Sequence, residues 1–158
     1  MPDSAASVPG EHVIVYTDGA CLRNPGPGGW AWAVSEDLYA SGCERATTNQ
    51  RMELRAVLEA LAAFPASRVR VISDSTYVVN CFRQRWWAGW RARGWRNAKG
   101  EPVANQDLWR PLVSLVVEER AGSVELEWVK GHGTSVGNNL ADRLATEAAR
   151  LQQPATAG

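Results

Sequence analysis

Two runs of apolar, β-branched residues each end in an aspartate, VIVYTD in Asp18 and VISD in Asp74. Runs of this kind read as buried strands, and a carboxylate at the mouth of a buried strand is costly to desolvate. Two further acids fall in the first halves of amphipathic helix patterns, Glu53 in TTNQRMELRAV and Asp142 in NNLADRLA. A fold that gathers all four needs a hard cation to hold them, because clustered carboxylates repel one another. Taken singly, each acid has a plainer reading. Glu53 and Asp142 suit helix N-termini, where negative charge meets the macrodipole, and Asp18 suits a turn.

The pattern along the chain gives the frame. His12 to Asp18 reads as a first strand, and NPGPGG after it as a tight turn, with Pro25 and Pro27 fixing φ. Trp30 to Ser35 and Tyr39 to Ala46 read as the next two strands of an antiparallel meander. A helix runs from Asn49 to Phe64, with Leu54, Val57, Leu58, Leu61 and Phe64 at helical spacing and Pro65 as its stop. Arg68 to Ser73 is a fourth strand and Ser75 to Phe82 a short helix. A helix over Asn105 to Glu119, a fifth strand over Ser123 to Val129, the loop GHGTSVG and a last helix over Asn138 to Leu151 complete the order. The fourth and fifth strands each follow a helix, so each can join the sheet parallel to the first through a right-handed crossover. The expectation is an α/β fold, a five-stranded mixed sheet with three antiparallel strands then two parallel, flanked by helices. Residues 1–11 and 152–158 read as disordered lead and tail around a domain over 12–151.

Parallel strands ending in Asp18 and Asp74 would present both side chains at one sheet edge, where ligand crevices of open α/β sheets lie. Glu53, placed in the first turn of its helix, and Asp142 can point into the same crevice. An all-oxygen donor set favours Mg²⁺ or Mn²⁺, and no His or Cys pair has metal-ligand spacing. Four carboxylates suit two ions ~4 Å apart, clamping the attacking and leaving oxygens of a phosphoryl displacement.

Composition excludes several classes. The chain of 158 residues, 45% hydrophobic and 22% charged, has ordinary globular character and room for one substantial core. No stretch approaches the ~18–20 apolar residues of a membrane span, and MPDSAASVPGEH has no signal-peptide pattern. Cys21, Cys43 and Cys81 are odd in number and lack CxxC spacing, which points to reduced thiols and a cytoplasmic location. Net charge is zero, but residues 75–100 hold no acid. That interval carries Arg83, Arg85, Arg91, Arg93, Arg96 and Lys99 together with Trp86, Trp87, Trp90 and Trp95. A basic, Trp-rich segment on a neutral chain can grip a polyanion locally. Its plainer reading is a solvated helix face with the tryptophans packed inward.

TDGACLRNPGPGGW, TTNQRMELRAV, ISDSTYV, NQDLW, EWVKGH and LADRLA occur in this order, and as a set they resemble bacterial type 1 ribonuclease H over roughly His12 to Leu151. The resemblance implies the five-stranded mixed sheet and hydrolysis of the RNA strand of RNA–DNA hybrids with Mg²⁺, leaving 5′-phosphate and 3′-hydroxyl ends. It implies Asp18, Glu53, Asp74 and Asp142 as metal ligands, and His132 as a loop histidine assisting water delivery or product release. Alone, His132 reads as an exposed loop residue. Cys21, Asn24, Asn49 and Gln50 match positions facing the hybrid's minor groove, where amides can read base edges and 2′-hydroxyls. Thr48 resembles a phosphate-binding hydroxyl on the DNA side, and Thr76 and Asn138 also fall at substrate positions. Trp86, Trp90, Arg91 and Arg93 lie in what resembles the family's basic protrusion, which cradles the DNA strand. That segment is one residue longer between Tyr77 and Trp86, so no role carries over to Arg83 or Arg85. No obligate protein partner is implied, and a monomer is expected. The alternatives are a non-catalytic hybrid-binding module and a DNA-acting nuclease of the same superfamily.

Overall fold

The computed structural model describes residues 12–131 and 133–158. The expected lead, residues 1–11, and His132 lie outside the described residues. Strand β1 spans His12–Cys21, β2 Gly26–Ser35 and β3 Leu38–Thr47. Helix α1 spans Asn49–Ala63, β4 Arg68–Ser73, α2 Thr76–Arg83 and α3 Trp86–Ala92. Helix α4 covers Gln106–Val113, a π-helical segment Ser114–Glu119, β5 Val124–Trp128, α5 Val136–Leu151 and β6 Ala155–Ala157. The sheet order is β5-β4-β1-β2-β3-β6. Strands β1, β2 and β3 pair antiparallel, and β4 joins β1, and β5 joins β4, in parallel.

Two layers of side chains cover the sheet. Val15, Val69 and Val71 face Leu54, Val57 and Leu61 of α1, with Trp109, Leu112 and Val113 of α4 closing that core. On the other face Ala31 and Ala33 meet Leu140, Leu144 and Ala145 of α5. The helices start where side chains replace missing intrahelical partners. Thr48, Ser75 and Ser135 cap α1, α2 and α5, accepting from the amides of Arg51, Val78 and Asn138.

Four expectations change. The turn after β1 is shorter than NPGPGG, because Gly26, Gly28 and Gly29 already belong to β2. Their missing side chains make room. A Cβ on Gly29 would lie 2.6 Å from the Ala149 amide nitrogen of α5, and one on Gly28 3.0 Å from the Ala20 carbonyl. The long helix over 105–119 divides. Pro111, inside α4, has no N–H to donate, and further on the Arg120 amide bonds five residues back to the Leu115 carbonyl. That wider turn delivers the Arg120 guanidinium to the carbonyls of Leu61, Phe64 and Ser67 at 2.9, 2.7 and 2.8 Å, where it closes the end of α1.

Glu53 is the fifth residue of α1, and no acid occupies its first turn. The macrodipole reading of this residue therefore weakens, since that effect fades beyond the terminal turn. Finally, the tail expected to be disordered adds a sixth strand. Gln152 takes a left-handed backbone, φ 51°, that ends α5, and its side-chain amide donates to Gly28 and Ala149 carbonyls at 3.2 and 2.8 Å. The chain then pairs Ala155 with Ser41 and Ala157 with Tyr39. Main-chain bonding to the free edge of β3 holds this strand, and that has no hydrophobic signature in the sequence.

Gly29→Ala should force α5 away from the sheet. Overpacking of this kind costs about 1–3 kcal/mol, equivalent to a fall of roughly 3–10 °C in Tm for a chain of this size. Thermal unfolding followed by circular dichroism checks it, and an unchanged Tm would contradict the tight α5 contact.

Candidate active site

Register brings the acids together. In the parallel pair β1–β4, Thr17 lies opposite Ser73, so Asp18 and Asp74 follow at the same level. Asp74 stands just past the end of β4 and Asp18 still within β1, which runs on to Cys21 instead of ending at the aspartate as expected. Across β1–β2, Asp18 pairs with Ala31, whose side chain packs beneath α5. This turns Asp18 toward Asp142, which hydrogen-bonds its carboxyl. Gly19 faces α1, where a Cβ would strike the backbone of Met52 and Glu53. The bare glycine lets α1 settle close enough for Glu53 to reach the same point. Asp18, Glu53 and Asp74 each offer one carboxylate oxygen, all within 4.8 Å of one another.

The cluster is held by polar contacts to its rim. Gly19 N–H donates to Asp18 Oδ1 at 2.9 Å, and the Ser75 hydroxyl donates to Glu53 Oε1 at 2.9 Å. The Trp128 indole N–H donates to the Asp74 carbonyl at 3.0 Å, fixing the end of β5 against the site. Gly131 approaches from the following loop, since a Cβ there would lie 2.7 Å from Asp74 Oδ2.

Burial pushes the Asp18 carboxyl well above the usual carboxylate range. The charges of Asp74 and Asp142 and the bond with Asp142 add to that, and the Gly19 amide opposes it. Burial raises Glu53 to about 7. The Ser75 bond opposes this, the Asp74 charge adds to it, and a bond with Asn49 opposes it again. Among the described residues, none of the groups acting on either acid is basic. Buried carboxylates surrounded by carboxylates are what a bound divalent cation would compensate, so this donor set fits a hard metal ion.

The expected substrate residues distribute around this centre unevenly. Asn24, Gln50 and Thr76 are exposed, and Cys21, Thr48 and Asn49 are half-buried. Asn24 Oδ1 accepts from the Asn49 amide at 3.2 Å, and Cys21 Sγ lies 2.9 Å from the Arg23 carbonyl. Asn138, by contrast, is 1% exposed. Its amide N–H donates to Ser135 Oγ at 3.2 Å, while its buried carboxamide oxygen has no donor among the described residues. In α3, Trp90 packs on Trp86, Trp95 and Trp109 with ring centroids 6.3, 6.0 and 5.3 Å apart. The plainer reading, tryptophans packed inward, thus describes Trp90. Arg91 pairs with Glu118 at 3.2 Å and lies over the Trp87 ring, whereas Arg93 closes α3 and is exposed.

Two residues beside the centre escape sequence reasoning. Ser75 carries a legible N-cap signal, but its second bond, to Glu53, spans 22 positions. Arg51 forks onto Asp107 at 2.9 and 2.8 Å and reaches Asn105 Oδ1 at 3.4 Å, tying the start of α1 to the start of α4. Neither link has a local sequence signature.

A raised carboxyl pKa makes the cation-free fold lose stability as pH rises. The contribution is complete below the unfolded values, near 3.8 for Asp and 4.5 for Glu, and falls away as pH passes about 7 for Glu53. Without divalent cation, Tm should therefore drop between pH 5 and pH 8. Asp18→Asn should flatten that slope and raise Tm at pH 8 by roughly 2–6 °C, equivalent to 1–2 kcal/mol. Thermal melts in EDTA at the two pH values measure it, and a steeper slope in the variant would contradict the electrostatic account.

The family model described as RNase H matches residues 10–150. A protein of Syntrophomonas wolfei named ribonuclease H is 46% identical over 143 residues, spanning 87% of this chain and 96% of that protein. One of Thermus thermophilus with the same name is 43% identical over 148 residues, spanning 91% and 87%. Among solved structures, LC9-RNase H1, described as a type 1 RNase H with the type 2 active-site motif, superposes with a TM-score of 0.77. It is 33% identical, over 97% of this chain and 81% of that one. With its clustered carboxyl groups and this match over nearly its whole length, the chain belongs to the ribonuclease H family.

Proposed function

We propose that the chain hydrolyses the RNA strand of RNA–DNA hybrids with Asp18, Glu53, Asp74 and Asp142 as the residues that hold divalent cation. The observation that carries this reading is the convergence of three carboxylate oxygens within 4.8 Å at the end of a parallel strand pair, with Asp142 bonded to one of them. Mg²⁺ suits the oxygen-only donors, with Mn²⁺ as a substitute. When bound, a cation pair supplies positive charge to the attacking and leaving oxygens of an in-line phosphoryl displacement, giving 5′-phosphate and 3′-hydroxyl ends.

The chain's own groups do the rest. The carboxyl groups present a partly buried, hydrogen-bonded centre that is already assembled for binding. Asn24, Asn49 and Gln50 flank it on the side of α1, where their amides can test for a 2′-hydroxyl and so separate RNA from DNA. Arg93, exposed at the end of α3, supplies charge for a backbone phosphate. His132 is proposed as the proton-carrying helper of the reaction, its ordinary pKa lying near neutrality. The chain is taken to act in the cytoplasm as a monomer, and its three cysteines are free, as reduced thiols would be.

Asp74→Asn removes a ligand charge and keeps the shape. Hydrolysis of a labelled hybrid in Mg²⁺ should fall by at least a hundredfold, with hybrid affinity in Ca²⁺ within a fewfold of the parent. Activity within tenfold of the parent would reject the ligand assignment. The same assay with hybrid, duplex DNA and duplex RNA should show cleavage of hybrid alone; cleavage of duplex DNA would favour a DNA-acting nuclease.

The α3 segment gives a separate expectation. Removing one phosphate-neutralising cation lowers the slope of log K against log salt by about 0.9 for duplex substrates. Arg93→Ala should show close to that change, and Arg91→Ala a smaller one, because Glu118 already neutralises Arg91. Hybrid binding in Ca²⁺ across a salt titration measures both. Parental slopes in both variants would make this a solvated surface only.

A further inference from the structure

We propose that Ser75 is a positioning residue whose hydroxyl fixes the Glu53 carboxylate relative to Asp74 for cation binding. This rests on the reading of Glu53 and Asp74 as cation ligands. Ser75 directly follows Asp74 and is 5% exposed. Its Oγ accepts from the Val78 amide at 3.2 Å. A hydroxyl has one proton and two lone pairs, so this bond, which occupies a lone pair, leaves the proton to donate. Glu53 Oε1 receives it at 2.9 Å. The Ser75 amide in turn donates to Ser73 Oγ at 3.0 Å, the last residue of β4. One residue is thereby tied to the strand that delivers Asp74, to the first turn of α2 and to the acid of α1.

The need for such a tie follows from charge. Glu53 and Asp74 come from different elements, and as like charges they push apart in a low-dielectric site. Glu53 receives side-chain hydrogen bonds from Ser75 and Asn49. Asn49 lies four residues back on the same helix, so it cannot fix Glu53 relative to Asp74. Ser75 can. Among the described residues it is also the one N-cap hydroxyl seen to donate to an acid: Thr48 and Ser135 cap α1 and α5 by accepting. Groups that orient metal ligands commonly change metal affinity by roughly 10- to 100-fold when removed.

A helix cap alone is the competing explanation, and glycine separates the two. Glycine at an N-cap is nearly as good as serine but has no hydroxyl to give Glu53. Calorimetric titration of Mg²⁺ into the full chain is the measurement, with the parent, Ser75→Gly, Ser75→Thr, Glu53→Gln and Asp74→Asn compared. Ser75→Gly should bind Mg²⁺ roughly tenfold more weakly, with Tm in EDTA lowered only slightly. The Mg²⁺ concentration for half-maximal hydrolysis should rise by the same factor, and turnover should recover at saturating Mg²⁺. Ser75→Thr, which keeps the hydroxyl, should restore both. Parental Mg²⁺ affinity in Ser75→Gly, alongside its loss in Glu53→Gln and Asp74→Asn, would reduce Ser75 to a cap and overturn the proposal. Unchanged affinity in Glu53→Gln and Asp74→Asn would sink the ligand reading and this proposal with it. Should Ser75→Gly not fold, Ser75→Ala takes its place, and parental affinity there overturns the proposal equally.

Discussion

The parallel pairing of β1 with β4 is the constraint on which the site depends. With Thr17 opposite Ser73, the next residue on each strand is an aspartate, and the two emerge together. A one-residue slip would turn one of them to the opposite face. The register is held by the buried valines on both strands, Val15 on β1 and Val69 and Val71 on β4, packed under α1 and α4. The apolar core thus forces an arrangement that electrostatics opposes. The raised pKa values of Asp18 and Glu53 are the visible sign of that opposition.

Two glycines govern how the remaining acids arrive. Gly19 admits the backbone of α1 beside Asp18, and Gly29 admits the backbone of α5 against β2. The two helices lie on opposite faces of the sheet, and each brings one carboxylate to its end. Polar groups then restrain the cluster without neutralising it: Ser75 and Asn49 on Glu53, the Gly19 amide on Asp18 and Trp128 on the Asp74 main chain. Glu53 and Asp74 stay only partly buried, and the raised pKa values of Asp18 and Glu53 favour their protonated forms until a cation replaces the protons.

The Trp-rich segment divides into an inward aromatic part and an outward basic part, which composition alone cannot separate. Trp90 belongs to an aromatic cluster with Trp109, whose indole N–H donates to Tyr77 Oη at 2.7 Å. That cluster anchors α3 to the core beneath α4. The cations are left on the outer side, with Arg91 shared with Glu118 and Arg93 exposed. The aromatic base thereby fixes where these two cations stand on the outer side.

The sequence by itself determined the strand–helix order, the meander, the aspartates Asp18 and Asp74 after their apolar runs and the basic Trp-rich stretch, although the first strand runs on past Asp18 to Cys21. All of these follow from local periodicity, β-branching and turn chemistry, which act over a few residues. The family-like motifs pointed to the same four acids. Tertiary structure decided what depends on distant partners. It folded Ala155–Ala157 onto the edge of β3, because main-chain pairing needs a free edge rather than a side-chain pattern. It ended the long helix in a π-turn, because Arg120 caps carbonyls 53 to 59 positions away. It buried Asn138, and it gave the Ser75 hydroxyl a second role on Glu53. Each of these is a contact between segments remote in the chain, and only packing brings such segments within reach.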